Sequence, residues 1–91
     1  MKINLDMLRN RINKIDNGII SLLSQRQEVS KLVGLYKKQN NIAIHQPKRE
    51  LELLEKISLI SIKNKIDPVF VKKIFKLILI HSKQVQKSLL K

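Results

Sequence analysis

The feature that most constrains the fold is a regular spacing of residues along the first part of the chain. Ten positions follow one another at alternating intervals of three and four residues, and they are Leu5, Leu8, Ile12, Ile15, Ile19, Leu22, Arg26, Val29, Val33 and Tyr36. This is the heptad pattern of a helix that buries one continuous stripe. The sequence therefore predicts one very long first helix at about residues 4–38.

Such a helix is too long for a compact single chain. About 34 residues that rise 1.5 Å each extend roughly 50 Å, whereas a compact domain of this length has a radius of gyration of about 12 Å. Part of the stripe must therefore be covered by something outside the chain's own core. A second copy of the chain is the simplest cover, so we expect an intertwined homodimer.

Two short breaks divide the rest of the sequence into further helices. The first ends at Pro47, which suits the first position of a helix. The second ends at Asp67, a favourable N-cap residue, followed by Pro68. The chain has two glycines and two prolines, and it lacks the alternating pattern of strands. We therefore expect an all-α, three-helix chain with its second and third helices at about 47–63 and 68–89, forming a single domain over residues 1–91.

Several classes of protein and site are disfavoured. The chain has no cysteine, which excludes disulfides, thiolate metal sites and a cysteine nucleophile. His45 and His81 lack the spacing of paired metal ligands, and no glycine-rich loop is present for a nucleotide, so we expect no metal and no cofactor. Without a signal peptide or an apolar stretch long enough to cross a bilayer, we expect a cytoplasmic protein that does not bind membranes.

The formal net charge of +12 is typical of proteins that bind nucleic acid, and it leaves a basic helical binding module as one alternative. However, the basic residues are fifteen lysines and only four arginines. Lysine, isoleucine and asparagine all have A/T-rich codons, so a biased genome could account for much of it. The three aromatic residues provide no platform for stacking bases. A positive field also suits a small anionic substrate, and we expect no nucleic-acid partner.

Arg26 is the charged member of the first stripe, where burial of an unpaired guanidinium would be costly. Two explanations are open. Arg26 could reach the surface or form a structural ion pair, for which the candidate partners are Glu28, Glu50, Glu52 and Glu55. Alternatively, its partner is a ligand carboxylate that it binds through two parallel hydrogen bonds.

Other polar residues also interrupt the apolar stripes. Lys37 lies eleven residues beyond Arg26, close to three helical turns, and so projects from the same face. Glu50 interrupts the second helix, and Ser82 and Gln86 interrupt the third. Each alone is explained by an ion pair, a core hydroxyl or partial exposure. Polar groups on three helices together favour a small-molecule site within a bundle, suited to positioning a dicarboxylate and stabilising charge.

The sequence resembles the AroQ-type, all-helical chorismate mutases over nearly its whole length. The motifs that carry the resemblance are LRNRI at 8–12, ID at 15–16, LLSQR at 22–26, VGLYK at 33–37, RE at 49–50, LL at 53–54, FKLI at 75–78 and SKQVQ at 82–86. The resemblance implies an intertwined dimer that rearranges chorismate to prephenate, without a cofactor, in phenylalanine and tyrosine biosynthesis. Isochorismate-pyruvate lyases share this fold and are a second alternative.

The resemblance also implies roles for individual residues. Arg26 would bind a substrate carboxylate, with Ser82 helping, and Arg9 would reach the same site from the other protomer. Lys37 and Gln86 would donate hydrogen bonds to the ether oxygen.

The remaining implied roles belong to the start of the second helix. Glu50 would hold the substrate hydroxyl, and Arg49 would support the site. Gln46 stands where the family often has Asp, and its backbone N–H could still bind the hydroxyl.

Overall fold

The computed structural model describes residues 2–89 and, within them, contains three α-helices and no strand. The helices are α1 at Leu5–Gln39, α2 at Pro47–Lys63 and α3 at Pro68–Ser88. Helix α3 packs against both α1 and α2. The all-helical class and the three predicted helices are therefore confirmed, and each helix end lies within one residue of its predicted position.

Local side-chain chemistry accounts for where the helices begin. The Asn4 carboxamide oxygen accepts hydrogen bonds from the backbone N–H groups of Asp6 and Met7 at 2.9 and 3.2 Å. At the start of α3, Asp67 accepts a hydrogen bond from the backbone N–H of Val69 at 2.9 Å. Both caps satisfy donors that a first helical turn leaves without partners. Helices α2 and α3 also have proline in their first turn, as the sequence predicts.

The chain is elongated, with extents of 59 × 26 × 14 Å and a radius of gyration of 16.8 Å. A compact domain of this length would have a radius of about 12 Å. A single chain consequently leaves the apolar stripe of the first part of α1 uncovered. Each large apolar residue there is at least 37 % exposed, and these residues are Leu5, Leu8, Ile12, Ile15, Ile19 and Leu22.

The interior of a single chain is small and largely polar. Ile57 is the one large apolar side chain that is buried among residues 2–89, and the other buried side chains are those of Ser30, Ser61, Ser82 and Gln86. The Ser61 hydroxyl is satisfied within its own helix, because it donates to the backbone carbonyl of Ile57 at 2.7 Å. The other three buried polar residues lie between α1 and α3, where they line one groove.

Among the described helices, none combines the length and the apolar content that crossing a bilayer requires.

Candidate functional site

A groove of about 600 Å³ is lined by residues of all three helices. Its polar lining consists of Arg26, Ser30, Lys37, Gln46, Arg49, Glu50, Ser82, Lys83 and Gln86. Seven of the eight predicted site residues are thus brought together from parts of the sequence as distant as residues 26 and 86. The eighth, Arg9, is exposed on α1 and lies outside this groove.

Lys37 and Gln86 face each other across α1 and α3. The Lys37 ammonium donates to Gln86 Oε1 at 2.9 Å and to the backbone carbonyl of Ile44 at 3.0 Å. An ammonium group can only donate, so the Gln86 amide must turn its oxygen toward Lys37. The Gln86 NH₂ group and the third Lys37 hydrogen are thereby left to donate to a further acceptor. The pair therefore presents two donors together.

Burial lowers the pKa of Lys37, and the nearby Glu50 carboxylate partly opposes this by raising it. The ammonium has therefore lost part of its hydration without gaining a full counter-ion. Negative charge that develops beside Lys37 is therefore attracted more strongly than it would be by a lysine in bulk water, because less water screens the ammonium.

Glycine at position 34 allows α1 and α3 to approach closely beside this pair. A Cβ atom added to Gly34 would lie 3.1 Å from Gln86 Cα and 3.0 Å from Leu89 Cδ1. Real Cβ atoms rarely come so close to backbone atoms, so a larger residue would push α3 outward. Gly34 thus holds Gln86 within reach of Lys37, which lies three residues further along α1.

Arg26 contacts a hydroxyl group instead of a carboxylate. Its Nη1 donates to Ser82 Oγ, and the Ser30 hydroxyl also reaches Ser82 Oγ at 3.4 Å. Among residues 2–89, no salt bridge pairs Arg26 with an acidic side chain. Burial lowers the pKa of Arg26, although a guanidinium stays charged at any physiological pH. The predicted structural ion pair is therefore not formed here, and the cation is left facing the groove.

Glu50 does form an ion pair, as its structural explanation predicts. Its Oε1 lies 2.8 Å from Lys83 Nζ and 3.9 Å from His45 Nδ1. The Glu50 and Lys83 side chains are each about one-quarter exposed, at 23 % and 24 %, and both line the groove. The pair fixes one carboxylate oxygen and leaves the other to accept a hydrogen bond.

The remaining predicted residues lie at the start of α2. Gln46 and Arg49 line the groove beside Glu50. The Gln46 side chain donates to the backbone carbonyl of Ala43 at 2.9 Å. It therefore braces the loop before α2 and does not cap the helix.

Two polar residues of the groove are not predicted from the sequence, Ser30 and Lys83. Ser30 lies four residues after Arg26 on α1, so the two share one helix face. Lys83 lies three residues before Gln86 on α3 and shares a face with it for the same reason. Helical spacing could have drawn attention to both residues, but it does not reveal which residue of another helix each one meets.

A second cavity, of about 470 Å³, lies on the other side of Arg26 and Ser82. Its walls are mostly apolar and come from α1 and α3, including Ile20, Leu23 and Leu77. Arg26 and Ser82 line both this cavity and the polar groove. Over the described part of the chain, no cluster of acidic and histidine side chains could hold a metal ion.

Comparison with known proteins agrees with this geometry. Residues 8–87 match the family model described as chorismate mutase type II. The chain is 32% identical over 83 residues to the chorismate mutase of Methanocaldococcus jannaschii, which covers 91% of this chain and 84% of that protein. It is also 37% identical to a structure described as a conserved hypothetical protein from Pyrococcus furiosus. That structure superposes with a TM-score of 0.71, covering 94% of this chain and 99% of the other.

Some relatives are much longer than this chain. The bifunctional chorismate mutase/prephenate dehydratase of Buchnera aphidicola from Acyrthosiphon pisum is 33% identical over 85 residues. This match covers 93% of the chain but 22% of that protein. The similarity therefore concerns about one-fifth of the bifunctional protein.

Proposed function

The chain belongs to the chorismate mutase type II family, and we propose that its polar groove is where chorismate rearranges to prephenate. The family makes the chain an isomerase. The reaction is an intramolecular Claisen rearrangement in which the ether C–O bond breaks as a new C–C bond forms, with no covalent intermediate. The protein therefore has to hold the compact substrate conformer and stabilise the charge that develops.

The observation that carries this proposal is the pair of donors formed by Lys37 and Gln86. Negative charge grows on the ether oxygen as the C–O bond breaks. The Lys37 ammonium and the Gln86 NH₂ group are left free by their mutual 2.9 Å hydrogen bond to donate to that oxygen. One preorganised donor of this kind typically contributes about 3–4 kcal/mol. Even a modest enzyme needs roughly 8 kcal/mol, so two donors and conformer selection are of the right order.

Binding of one substrate carboxylate is assigned to Arg26, with help from Ser82, and Arg49 is assigned to support the site. Arg26 lacks an acidic partner among the described residues, and its planar guanidinium can bind a carboxylate through two parallel hydrogen bonds. Glu50 is assigned to the substrate hydroxyl, because Lys83 engages one of its oxygens and leaves the other available. Gln46 would add its backbone N–H to the same hydroxyl.

The second carboxylate is assigned to Arg9 of a second copy. Within one chain, Arg9 and Lys37 are separated by roughly 42 Å along α1, since 28 residues rise about 1.5 Å each. In an antiparallel pair of α1 helices that cross level with residues 17 and 18, Arg9 of one copy lies level with Arg26 of the other. Each would be about 13 Å from the crossing point.

Two features of the chain support such a homodimer. The apolar stripe from Leu5 to Leu22 is exposed in one chain, and a second α1 would cover it. The apolar cavity beside Arg26 would receive the partner's helix near the groove. Apart from its own stretch of α1, nothing among residues 2–89 lies within 4 Å of the point where a Gly18 Cβ would stand, which leaves room for a close crossing there.

The reaction belongs to the biosynthesis of phenylalanine and tyrosine. In relatives whose names join chorismate mutase to prephenate dehydratase, one protein pairs the mutase with an enzyme that consumes its product.

The single domain over residues 1–91 and the cytoplasmic location stay predictions, as do the expectations of no nucleic-acid and no membrane partner.

The test is to mix the purified protein with chorismate and to measure chorismate loss and prephenate formation. Lys37→Ala should lower kcat by about 10²–10³-fold, while helix content stays as in the unmodified protein. Lys38→Ala is the matched control, because Lys38 is exposed on the same helix and outside the groove.

Near-normal turnover by Lys37→Ala would refute the role of Lys37. Pyruvate release from isochorismate without prephenate formation from chorismate would instead identify a lyase. Binding to DNA or RNA that weakens steeply with salt, without any loss of chorismate, would identify a basic binding module.

A further inference from the structure

The hydroxyl of Ser82 receives two hydrogen bonds from α1. Arg26 Nη1 donates to Ser82 Oγ, and so does the Ser30 hydroxyl at 3.4 Å. A serine hydroxyl offers one hydrogen and two acceptor lone pairs. Both acceptor positions are therefore filled by protein donors, and the hydrogen of Ser82 must point in a third direction.

That hydrogen is available to a ligand. Among residues 2–89, no hydrogen bond is donated by Ser82, although Ser82 and Ser30 are each only 7 % exposed. Both serines and Arg26 line the groove. The Ser82 hydroxyl is held beside the Arg26 guanidinium. It is therefore placed to donate a hydrogen bond to a carboxylate that Arg26 binds.

Serine residues within helices usually adopt a different arrangement, which Ser61 shows in this chain. The Ser61 hydroxyl donates to the carbonyl of Ile57, four residues earlier in its own helix. This local bond competes with bonds to other groups. We propose that Ser30 is a positioning residue that keeps the Ser82 hydroxyl turned away from its own helix and toward a substrate carboxylate. The proposal rests on the proposed function, because it names a further residue for the same reaction.

Removal of the Ser30 hydroxyl should therefore weaken substrate binding. In Ser30→Ala, one acceptor position of Ser82 is vacated, and its hydroxyl is free to rotate back toward the helix carbonyl. The carboxylate is held in both the ground state and the transition state, so the loss should fall on KM. We expect KM for chorismate to rise about five- to tenfold, as for one lost hydrogen bond to a charged group, with kcat changed less than about twofold.

Ser61→Ala is the matched control, since it removes another buried serine hydroxyl at a site outside the groove. It should lower the melting temperature much as Ser30→Ala does and leave KM unchanged. The decisive comparison is a double-mutant cycle with Ser82→Ala. If Ser30 acts through Ser82, Ser30→Ala should add nothing to KM once Ser82 is alanine.

Two results would overturn the role of Ser30. These are an unchanged KM in Ser30→Ala, or effects of the two substitutions that multiply in the double mutant. Failure of the proposed function is recognised separately, because the unmodified protein would then form no prephenate from chorismate.

Discussion

Two cations of the groove, Arg26 and Lys37, are held in place by neutral groups, whereas Lys83 pairs with the Glu50 carboxylate. Arg26 donates to a hydroxyl, and Lys37 donates to two uncharged oxygens. Such partners fix the geometry of a donor but leave its positive charge in excess. A substrate with two carboxylates therefore supplies negative charge that balances these cations. The developing oxyanion adds further negative charge, so the cations stabilise the transition state more than the bound substrate.

The rate at alkaline pH should report the protonation of Lys37. Protonated Lys37 is the active donor, and burial lowers its pKa below the ordinary value for lysine. We expect kcat/KM to fall as pH rises through this lowered pKa. Glu50→Gln should move the fall to lower pH, because the Glu50 carboxylate raises the Lys37 pKa. The measurement is kcat/KM for chorismate from neutral to alkaline pH in both proteins.

Glu52→Gln provides the control for this profile, since Glu52 is an exposed carboxylate of α2 outside the groove. It should leave the alkaline fall where it is in the unmodified protein. A Glu50→Gln profile that falls at the same or a higher pH would contradict the assignment to Lys37.

At the scale of the helices, the spacing of α1 and α3 decides whether Lys37 and Gln86 can act together. Gly34 is where this spacing is set, because a Cβ there would lie 3.1 Å from Gln86 Cα, which is tighter than an ordinary van der Waals contact. The cost to helix propensity of a glycine within α1 is about 1 kcal/mol relative to alanine. The close packing of α1 against α3 therefore compensates for the lower helix propensity of glycine at this position.

Gly34→Ala should destabilise the protein although alanine is the better helix former. Overpacking typically costs about 1–3 kcal/mol, which outweighs the gain in propensity of about 1 kcal/mol. Displacement of α3 should also lower kcat by at least about tenfold, because the donors are moved from their working positions. Thermal unfolding and steady-state kinetics measure the two effects. A variant with a higher melting temperature and normal kcat would show that the helix spacing is not set at this position.

The helices could be predicted because their signals are local. Asp67 and Pro68 mark a helix start within two residues, and the three-four spacing marks a helix face within one segment. Contacts between helices carry no such local signal. The Ser30–Ser82 contact joins residues 52 positions apart, and a stripe pattern does not specify the level at which two helices meet. For this reason an unexpected polar residue in an apolar stripe predicts the groove residues Arg26, Lys37 and Gln86, but it does not predict Ser30 and Lys83.

At the scale of the whole molecule, a single chain is incomplete in two respects. The stripe of α1 stays exposed, and Arg9, the arginine assigned to the second carboxylate, lies outside the groove of its own chain. The proposed antiparallel homodimer meets both needs at once, because the helix that covers the stripe also brings Arg9 to the groove. Each of its two sites would then use Lys37 from one copy and Arg9 from the other.

This sharing predicts that two inactive variants restore activity when they are mixed. Arg9→Ala removes the arginine that a copy contributes to its partner's site. Lys37→Ala removes the lysine that a copy contributes to its own site. In a dimer with one copy of each, one site receives intact Lys37 and intact Arg9, while the other site lacks both. After unfolding and refolding together in equal amounts, half of the dimers are mixed, so activity should return to about a quarter of the unmodified level.

The control is each variant refolded alone, which should stay inactive, with dimer content checked by sedimentation. If each site were built from a single chain, the mixture would stay inactive, because every chain in it carries one of the two substitutions. No recovery of activity in a mixture that contains mixed dimers would therefore exclude the sharing of Arg9 between copies.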